Sequence, residues 1–346
     1  MVRSDKDGNF SCVVHRRTKR KRRCKMISVF LKKISKYHLM ISGKYLFVAV
    51  LICTSVSCQN RELCFDHSHM VDFEVNFDWT DIPDAAPNTM VLQIFNNDGS
   101  HYTTVEFTSR KGGSFRIEAG EYKFLFHNGA MSTLVERGNT YGEYELTTKQ
   151  ISLLSPMGKD NNLNAPPRPD DSKDEPVNDI LENIWGGSYE YIEILRGVEG
   201  QSVTLKPVEA TSVYTVEVRD VKNMRDDIYV SAAMSGMAQS WKIADNTLSD
   251  ITATIPFDLS RKDETTLESR FVIFGDNPEH TGQHHLSIYT SEKDYAHFDV
   301  TEQIHNAPDS KHIHIIVAGL ELKGEGEGMK PDISEWEEVD IDIPMN

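Results

Sequence analysis

The chain has 346 residues, 37 of them Lys or Arg against 53 Asp or Glu, for a formal net charge of −16. Residues 1–57 hold 14 of the basic and 2 of the acidic residues, so the remainder carries 23 against 51, net −28. That charge repels nucleic acid and anionic headgroups and excludes a nucleic-acid partner. Of five cysteines only Cys58 and Cys64 follow residue 57, which excludes a fold held together by disulfides.

The N-terminal segment opens with a basic run, Arg16, Arg17, Lys19, Arg20, Lys21, Arg22, Arg23 and Lys25. It precedes an apolar run, Tyr45 to Cys53, far shorter than the roughly 20 residues that span a bilayer and flanked by Lys44 like a secretory h-region. Ser55-Val56-Ser57-Cys58 resembles a lipobox, with Ser55 where Leu is usual. Residues 1–57 are therefore expected to be leader and lipoprotein signal peptide, with Met26 or Met40 starting a leader of ordinary length. Cys58 is the expected lipidated residue; a plain secretory signal or an uncleaved anchor is the alternative. Residues 58–69 then form a tether.

From Met70 to Trp79 the sequence alternates without exception: Val71, Phe73, Val75, Phe77 and Trp79 against Asp72, Glu74, Asn76 and Asp78. This period of two predicts a strand with one buried face. Met90 to Phe95 predicts a second strand, and Asn96-Asn97-Asp98-Gly99 a tight hairpin returning along His101 to Thr108. Phe115 and Ile117, then Tyr122, Phe124 and Phe126, continue the pattern, and Glu143–Leu146 and Ile151–Leu154 close an antiparallel meander or Greek key. Residues 156–178, rich in Pro, Asp, Asn and Lys, predict an exposed loop, and 184–195 a last strand, completing an N-terminal β-sandwich over 70–197.

A second set over 198–325 begins at Val203–Leu205. It continues through Tyr214, Val216 and Val218; Ile228, Val230 and Ala232; Ile251 to Phe257; Phe271 to Phe274; Leu286 to Tyr289; Phe298 to Val300; and Ile313 to Leu322. Short strands at this spacing predict a second β-sandwich. In the tail, residues 326–346, Val339, Ile341 and Ile343 alternate with Asp340 and Asp342. This strand either closes an edge of its own sheet or adds to another chain.

Four groups of residues carry a resemblance: Cys58 to His69 (CQNRELCFDHSH), Phe77-Asp78-Trp79, Trp185-Gly186-Gly187, and Trp336 to Ile343 (WEEVDIDI). They resemble a branch of Bacteroidales lipoproteins similar to the fimbrillins and the minor fimbrial anchor subunits. The resemblance implies an all-β protein of two tandem transthyretin-like (Greek-key) sandwich domains. It implies a lipid-anchored outer-membrane protein, palmitate-modified at Cys58, with the cell surface as the expected face and the periplasmic face as the alternative. It also implies a structural or adhesive role as anchor, accessory or tip component of a pilus-like fibre. The partners would be fimbrial subunits joined by β-strand addition, and host or bacterial surface ligands. Fimbrillin stalk subunits donate strands after cleavage beside an arginine, for which this sequence offers no assignable counterpart.

No catalytic residue is expected: G-x-S-x-G, Walker, H-E-x-x-H and dinucleotide motifs are all missing. No cofactor is expected either. Cys64, His67 and His69 are the metal candidates, but they lack the paired spacing of a closed zinc site, so a bound metal is not the expectation. His284-His285 and His312 with His314 form a second histidine group, the latter pair on one face of a strand. Trp185 and Trp241, both near loops, are the candidate stacking platforms for the alternative function, surface glycan binding; Trp79 belongs to the core.

Overall fold

The computed structural model describes residues 69–129, 132–158, 165–323, 336–339 and 341, with the backbone of two paired two-residue strands, Arg3–Ser4 and Phe10–Ser11. Contacts separate the chain into two units, Met1–Phe65 and Asp66–Asn346. The second unit is almost entirely β. Its strands are β1 (Met70–Phe77), β2 (Met90–Asn96), β3 (His101–Phe107), β4 (Gly112–Glu118), β5 (Gly120–Asn128), β6 (Leu134–Arg137), β7 (Glu145–Thr148), β8 (Trp185–Ile194), β9 (Gln201–Leu205) and β10 (Val208–Glu209). They continue as β11 (Ser212–Arg219), β12 (Val230–Ala238), β13 (Ser240–Lys242), β14 (Thr247–Leu248), β15 (Thr252–Asp258), β16 (Ser260–Arg261), β17 (Leu267–Ile273), β18 (His285–Thr290) and β19 (Asp294–Asp299). A short helix α1 (Thr301–His305), β20 (His312–Ala318) and β21 (Glu337–Glu338) follow.

The alternation in β1 does what its period dictates. Val71, Phe73, Val75 and Phe77 are buried, and Trp79 extends the same face. That face belongs to a three-stranded sheet, β9-β1-β4, which packs on a five-stranded sheet, β10-β8-β5-β2-β3. Val71, Phe73 and Ile117 from one layer meet Leu92, Ile94 and Phe124 from the other in one core. The predicted hairpin between β2 and β3 is present: Gly99 takes φ +85°, and Ser100 N donates to Asp98 Oδ1 at 2.9 Å.

A second pair of sheets, β16-β17-β11-β20 and β15-β12-β18-β19-β21, encloses a separate core. Tyr214, Val216 and Val218 of β11 and Phe271 of β17 pack against Met234 of β12, Phe257 of β15 and Ile288 of β18. The Phe257 and Phe271 rings stack at 3.9 Å between centroids.

A fifth sheet, β14-β13-β7-β6, draws its strands from residues 134–148 and 240–248. The central pairing sets Ser240 against Thr147, Trp241 against Leu146 and Lys242 against Glu145. Thr147 Oγ1 donates to Gln239 O at 2.9 Å, and Ser240 Oγ to Glu145 Oε2 at 2.6 Å. Beneath it lies a third core containing Phe95, Leu125, Leu146, Ile184, Trp241 and Phe274. Phe95 and Leu125 are the outward residues of β2 and β5, so those two strands are buried on both faces.

Three expectations need correction. Val203 and Leu205, read as the opening of the second set, pair in parallel with β1 and lie in the first core. With the parallel pairings of β11 with β20 and of β19 with β21, this makes three sheets mixed rather than antiparallel. Ile151–Leu154 is not a strand; Leu153 and Leu154 are buried in a turn against Ala233 and Tyr289. The described part of the 156–178 loop is strapped to the second sheet pair: Val177 bridges Thr254, Glu175 accepts from Gly236 N and Thr254 Oγ1, and Tyr289 Oη donates to Pro167 O at 2.9 Å. Its polar side chains find backbone partners in the sheet, which composition alone cannot distinguish from solvation.

Trp241 is 1% exposed at the centre of the third core. Trp241→Ala is expected to cost about 3–5 kcal/mol, checked by urea denaturation.

Candidate functional site: a sheet edge closed by the tail

The tail returns to its own chain. Glu337 and Glu338 lie parallel to Asp294 and Tyr295 at the edge of β19. Glu337 N donates to Lys293 O, and Val339 N to Tyr295 O, both at 3.0 Å. Of the three residues read as a strand-addition tail, Val339 is buried in the second core, Ile341 bridges Leu320 and packs against that core, and Ile343 lies outside the described residues. Trp336 meets Tyr289 edge-on at 5.7 Å.

One cation pins this strand. Lys323 Nζ stands 2.5 Å from Asp294 Oδ1 and 2.8 Å from Glu337 Oε2, joining β19 to β21 through one ammonium. Burial holds the Asp294 carboxyl above its ordinary range, and Lys323 opposes that rise. Burial lowers Lys323, but its two carboxylates outweigh this and hold it above the usual lysine value. Asp294 is 1% exposed, so its charge has little solvent to fall back on.

A second edge stands on the first sheet pair. β8 pairs with β10 only at Trp185 and Gly186, and its remaining outer edge has no strand partner among the described residues. Tyr189 and Tyr191 stand exposed there, beside a register shift against β5 between Tyr189 and Ile192. Such a bulge blunts an edge against uncontrolled pairing. Gly186 permits the close approach of β8 to β5, because a Cβ there would meet Phe126 O at 2.2 Å.

The tryptophans do not form a platform. Trp241 is interior, its Nε1 donating to Asn246 Oδ1 at 3.1 Å, which corrects its reading as a stacking residue. Trp185 is half-buried and meets Trp79 edge-on, 6.4 Å between centroids and 83° between planes. Trp79, as expected, is in the core, its Nε1 donating to Arg110 O at 2.7 Å.

Cys58, Cys64 and His67 lie outside the described residues, while His69 Nε2 sits 3.6 Å from Glu118 Oε1. His312 and His314 face different carboxylates, Asp309 at 3.0 Å and Glu217 at 3.7 Å. His285 faces Asp171 at 3.1 Å. Its neighbour His284 is buried and faces Asp276 and His305, residues the sequence offers no reason to group. Among the described residues no helix is long and apolar enough to cross a membrane.

Residues 57–258 match a protein family described as a domain of unknown function, DUF5119. The chain belongs to this family. No curated protein matches it. Among solved structures, this DUF5119 chain is similar to a candidate adhesin from Bacteroides ovatus, with 16% identity and a TM-score of 0.55 over 83% of this chain and 98% of that one. It is also similar to a candidate polysaccharide-binding protein from Bacteroides thetaiotaomicron, at 11% identity and a TM-score of 0.47, over 72% of this chain and 91% of that one. A fimbrial anchor protein from Porphyromonas gingivalis follows at 13% identity and 0.45, over 72% and 90%. The first likeness establishes a shared all-β sandwich fold.

Two measurements test the edge. Lys323→Ala strands a buried carboxylate and is expected to destabilise the protein by on the order of 3 kcal/mol, with faster amide exchange at 337–339; adding Asp294→Asn should recover most of the loss. His297 on β19, its Nδ1 2.8 Å from Ser287 Oγ, is pushed down to about 4 by burial, with His285 adding to the shift. A histidine depressed in the folded state contributes stability present above its unfolded value and lost as pH falls toward the folded one. Stability is therefore expected to decline from about pH 6.5 to about pH 4, and His297→Gln to flatten that decline in pH-resolved thermal melts.

Proposed function

We propose that this protein is a lipid-anchored structural and adhesive component of the bacterial cell surface, an anchor, accessory or tip subunit of a pilus-like fibre. The observation that carries the reading is the fold, which follows a candidate adhesin along 98% of that chain. The DUF5119 match starts at residue 57, one residue before Cys58, which supports treating 1–57 as leader and Cys58 as the palmitate-bearing anchor in the outer membrane. The acidic body suits a domain held at a membrane by acyl chains, since two or more chains hold where one is marginal. We further propose that the two sheet pairs are two tandem transthyretin-like domains, with the crossover after β9 rather than before it.

Closure of the β19 edge by the chain's own tail supports an anchor, accessory or tip role over that of a repeating stalk unit, which must leave an edge for the next subunit. Partner subunits would then join elsewhere, and the tyrosine-lined edge of β8 is the surface we assign to them. No catalytic role is proposed. The glycan-binding alternative loses its two candidate platforms to burial and to edge-on packing.

Cys58→Ala is expected to abolish incorporation of an alkyne-palmitate label and to move the protein from the membrane to the soluble fraction. Pull-down from surface-labelled cells is expected to bring pilin-like subunits with the wild type. Retention on polysaccharide without any protein partner would instead establish the glycan reading.

A further inference from the structure

Asp276, His284 and His305 come from three separate segments: the turn after β17, the residue before β18, and the last residue of α1. His284 Nε2 lies 3.1 Å from His305 Nε2 and 3.3 Å from Asp276 Oδ1, while His305 Nε2 lies 3.6 Å from Asp276 Oδ2. Among the described residues this is the one group of three such side chains with ligand atoms all mutually within 4.8 Å.

The hydrogen bonding around the group makes its centre electron-rich. His284 Nδ1 faces Ser235 O at 3.3 Å. A carbonyl can only accept, so Nδ1 carries the proton and the Nε2 of the neutral ring presents a lone pair to Asp276 and His305. Asp276 Oδ1, itself buried, has no hydrogen-bond partner. A proton on His305 Nε2 could bridge the two rings, but it would leave Asp276 Oδ1 unanswered. A cation at the centre answers all three.

The spacings suit a particular class of cation. Zinc bonded to nitrogen and oxygen at about 2.0–2.1 Å in a tetrahedron holds its ligand atoms roughly 3.3–3.4 Å apart, and the three separations here are 3.1, 3.3 and 3.6 Å. Two imidazoles and one carboxylate are a ligand set for zinc and its neighbours, not for calcium or magnesium. The support behind the ligands is also in place. The Nδ1–H of His284 to a main-chain carbonyl is the outer-shell bond that orients a ligating imidazole. Gly236, at φ +78°, leaves room for that ring, since a Cβ there would stand 2.6 Å from His284 Nδ1.

We propose that Asp276, His284 and His305 bind one divalent zinc-class cation, with a fourth coordination position open toward solvent. His284 is fully buried, Asp276 13% exposed and His305 33% exposed on their side chains, so the site has a closed floor and an open side. That side faces a cavity of about 440 Å³ lined by Pro278, His280, Thr281, Ser310 and Ile313. His280, with its ring 6.0 Å from that of His284, is the side chain nearest to supplying a fourth ligand; otherwise water completes the tetrahedron. The cation would tie the turn after β17, the start of β18 and the end of α1 at one end of the second sheet pair.

The test is calorimetric titration of the purified full-length protein with zinc chloride at neutral pH, repeated with cobalt to read the intense visible bands of tetrahedral coordination. The wild type is expected to take up one ion at this site. Asp276→Asn and His305→Ala are each expected to weaken that uptake by about 100-fold or more, since loss of an outer-shell partner alone costs about 10–100-fold. His305 is a third exposed, so its replacement leaves the fold intact, which circular dichroism verifies. His312→Ala, whose ring faces Asp309 and not the cluster, and a Cys64→Ser, His69→Ala pair are expected to leave the uptake unchanged. No uptake by the wild type, uptake unchanged in both cluster variants, or uptake lost only in the Cys64→Ser, His69→Ala protein would each overturn the assignment.

Discussion

The pairing of β7 with β13 is the constraint on which the rest of this structure depends. Three residue pairs, Ser240 with Thr147, Trp241 with Leu146 and Lys242 with Glu145, join segments about 95 residues apart in the chain. Each strand is only three or four residues long, too short to hold by main-chain hydrogen bonds alone. Its stability comes from what it covers: the outward faces of β2 and β5, where Phe95 and Leu125 would otherwise meet water. A fully buried large apolar side chain contributes about 1.5–3 kcal/mol, and this small sheet collects several of them. Because two of its strands follow β5 of the first sheet pair and two follow β12 of the second, neither sheet pair can complete its surroundings without the other.

The same logic of covering exposed sheet explains the loop and the tail. Residues 165–178 lie across the second sheet pair, where Glu175 accepts from Gly236 N and Thr254 Oγ1 and Pro167 O accepts from Tyr289. Arg168 braces the loop by donating to Glu175 O, Asn178 donates to Thr148 O of β7, and the tail covers the edge of β19. Both segments use main-chain and charge partners, and the tail adds apolar anchors, with Val339 in the second core and Trp336 against Tyr289. Lys323 illustrates the principle. Its two carboxylates come from different strands, so a single side chain fixes the register between an edge and the segment that caps it.

Much of the first sheet pair was legible in the residues. The alternation in β1, the Asn96 to Gly99 turn and the aromatic series of β5 each specify their local structure, because a period of two leaves one face apolar wherever the strand lies. The double burial of β2 was also present as a signal, since Val91, Leu92, Ile94 and Phe95 run almost without a polar break, as in strands covered on both faces. The parallel neighbours β9 and β20 were not legible. A strand's pattern states which face is buried but not which partner it takes, and Val203 and Leu205 fit either core by pattern. The Asp276, His284 and His305 cluster was hidden for a related reason. His284 and Asp276 lie 21 and 29 residues before His305, with no helical or strand periodicity to bring them together.

By itself the sequence determined the all-β class, the positions of most of the longer strands and the acidic character of the body. These follow from period, composition and short-range chemistry. The tertiary structure alone decided that the tail closes its own sheet, that Trp241 is core rather than platform, that the 134–148 and 240–248 segments share a sheet, and that two histidines and an aspartate converge. Each depends on contacts between residues distant in the chain, and such contacts are selected by the total burial and pairing of the folded molecule, which no local pattern encodes.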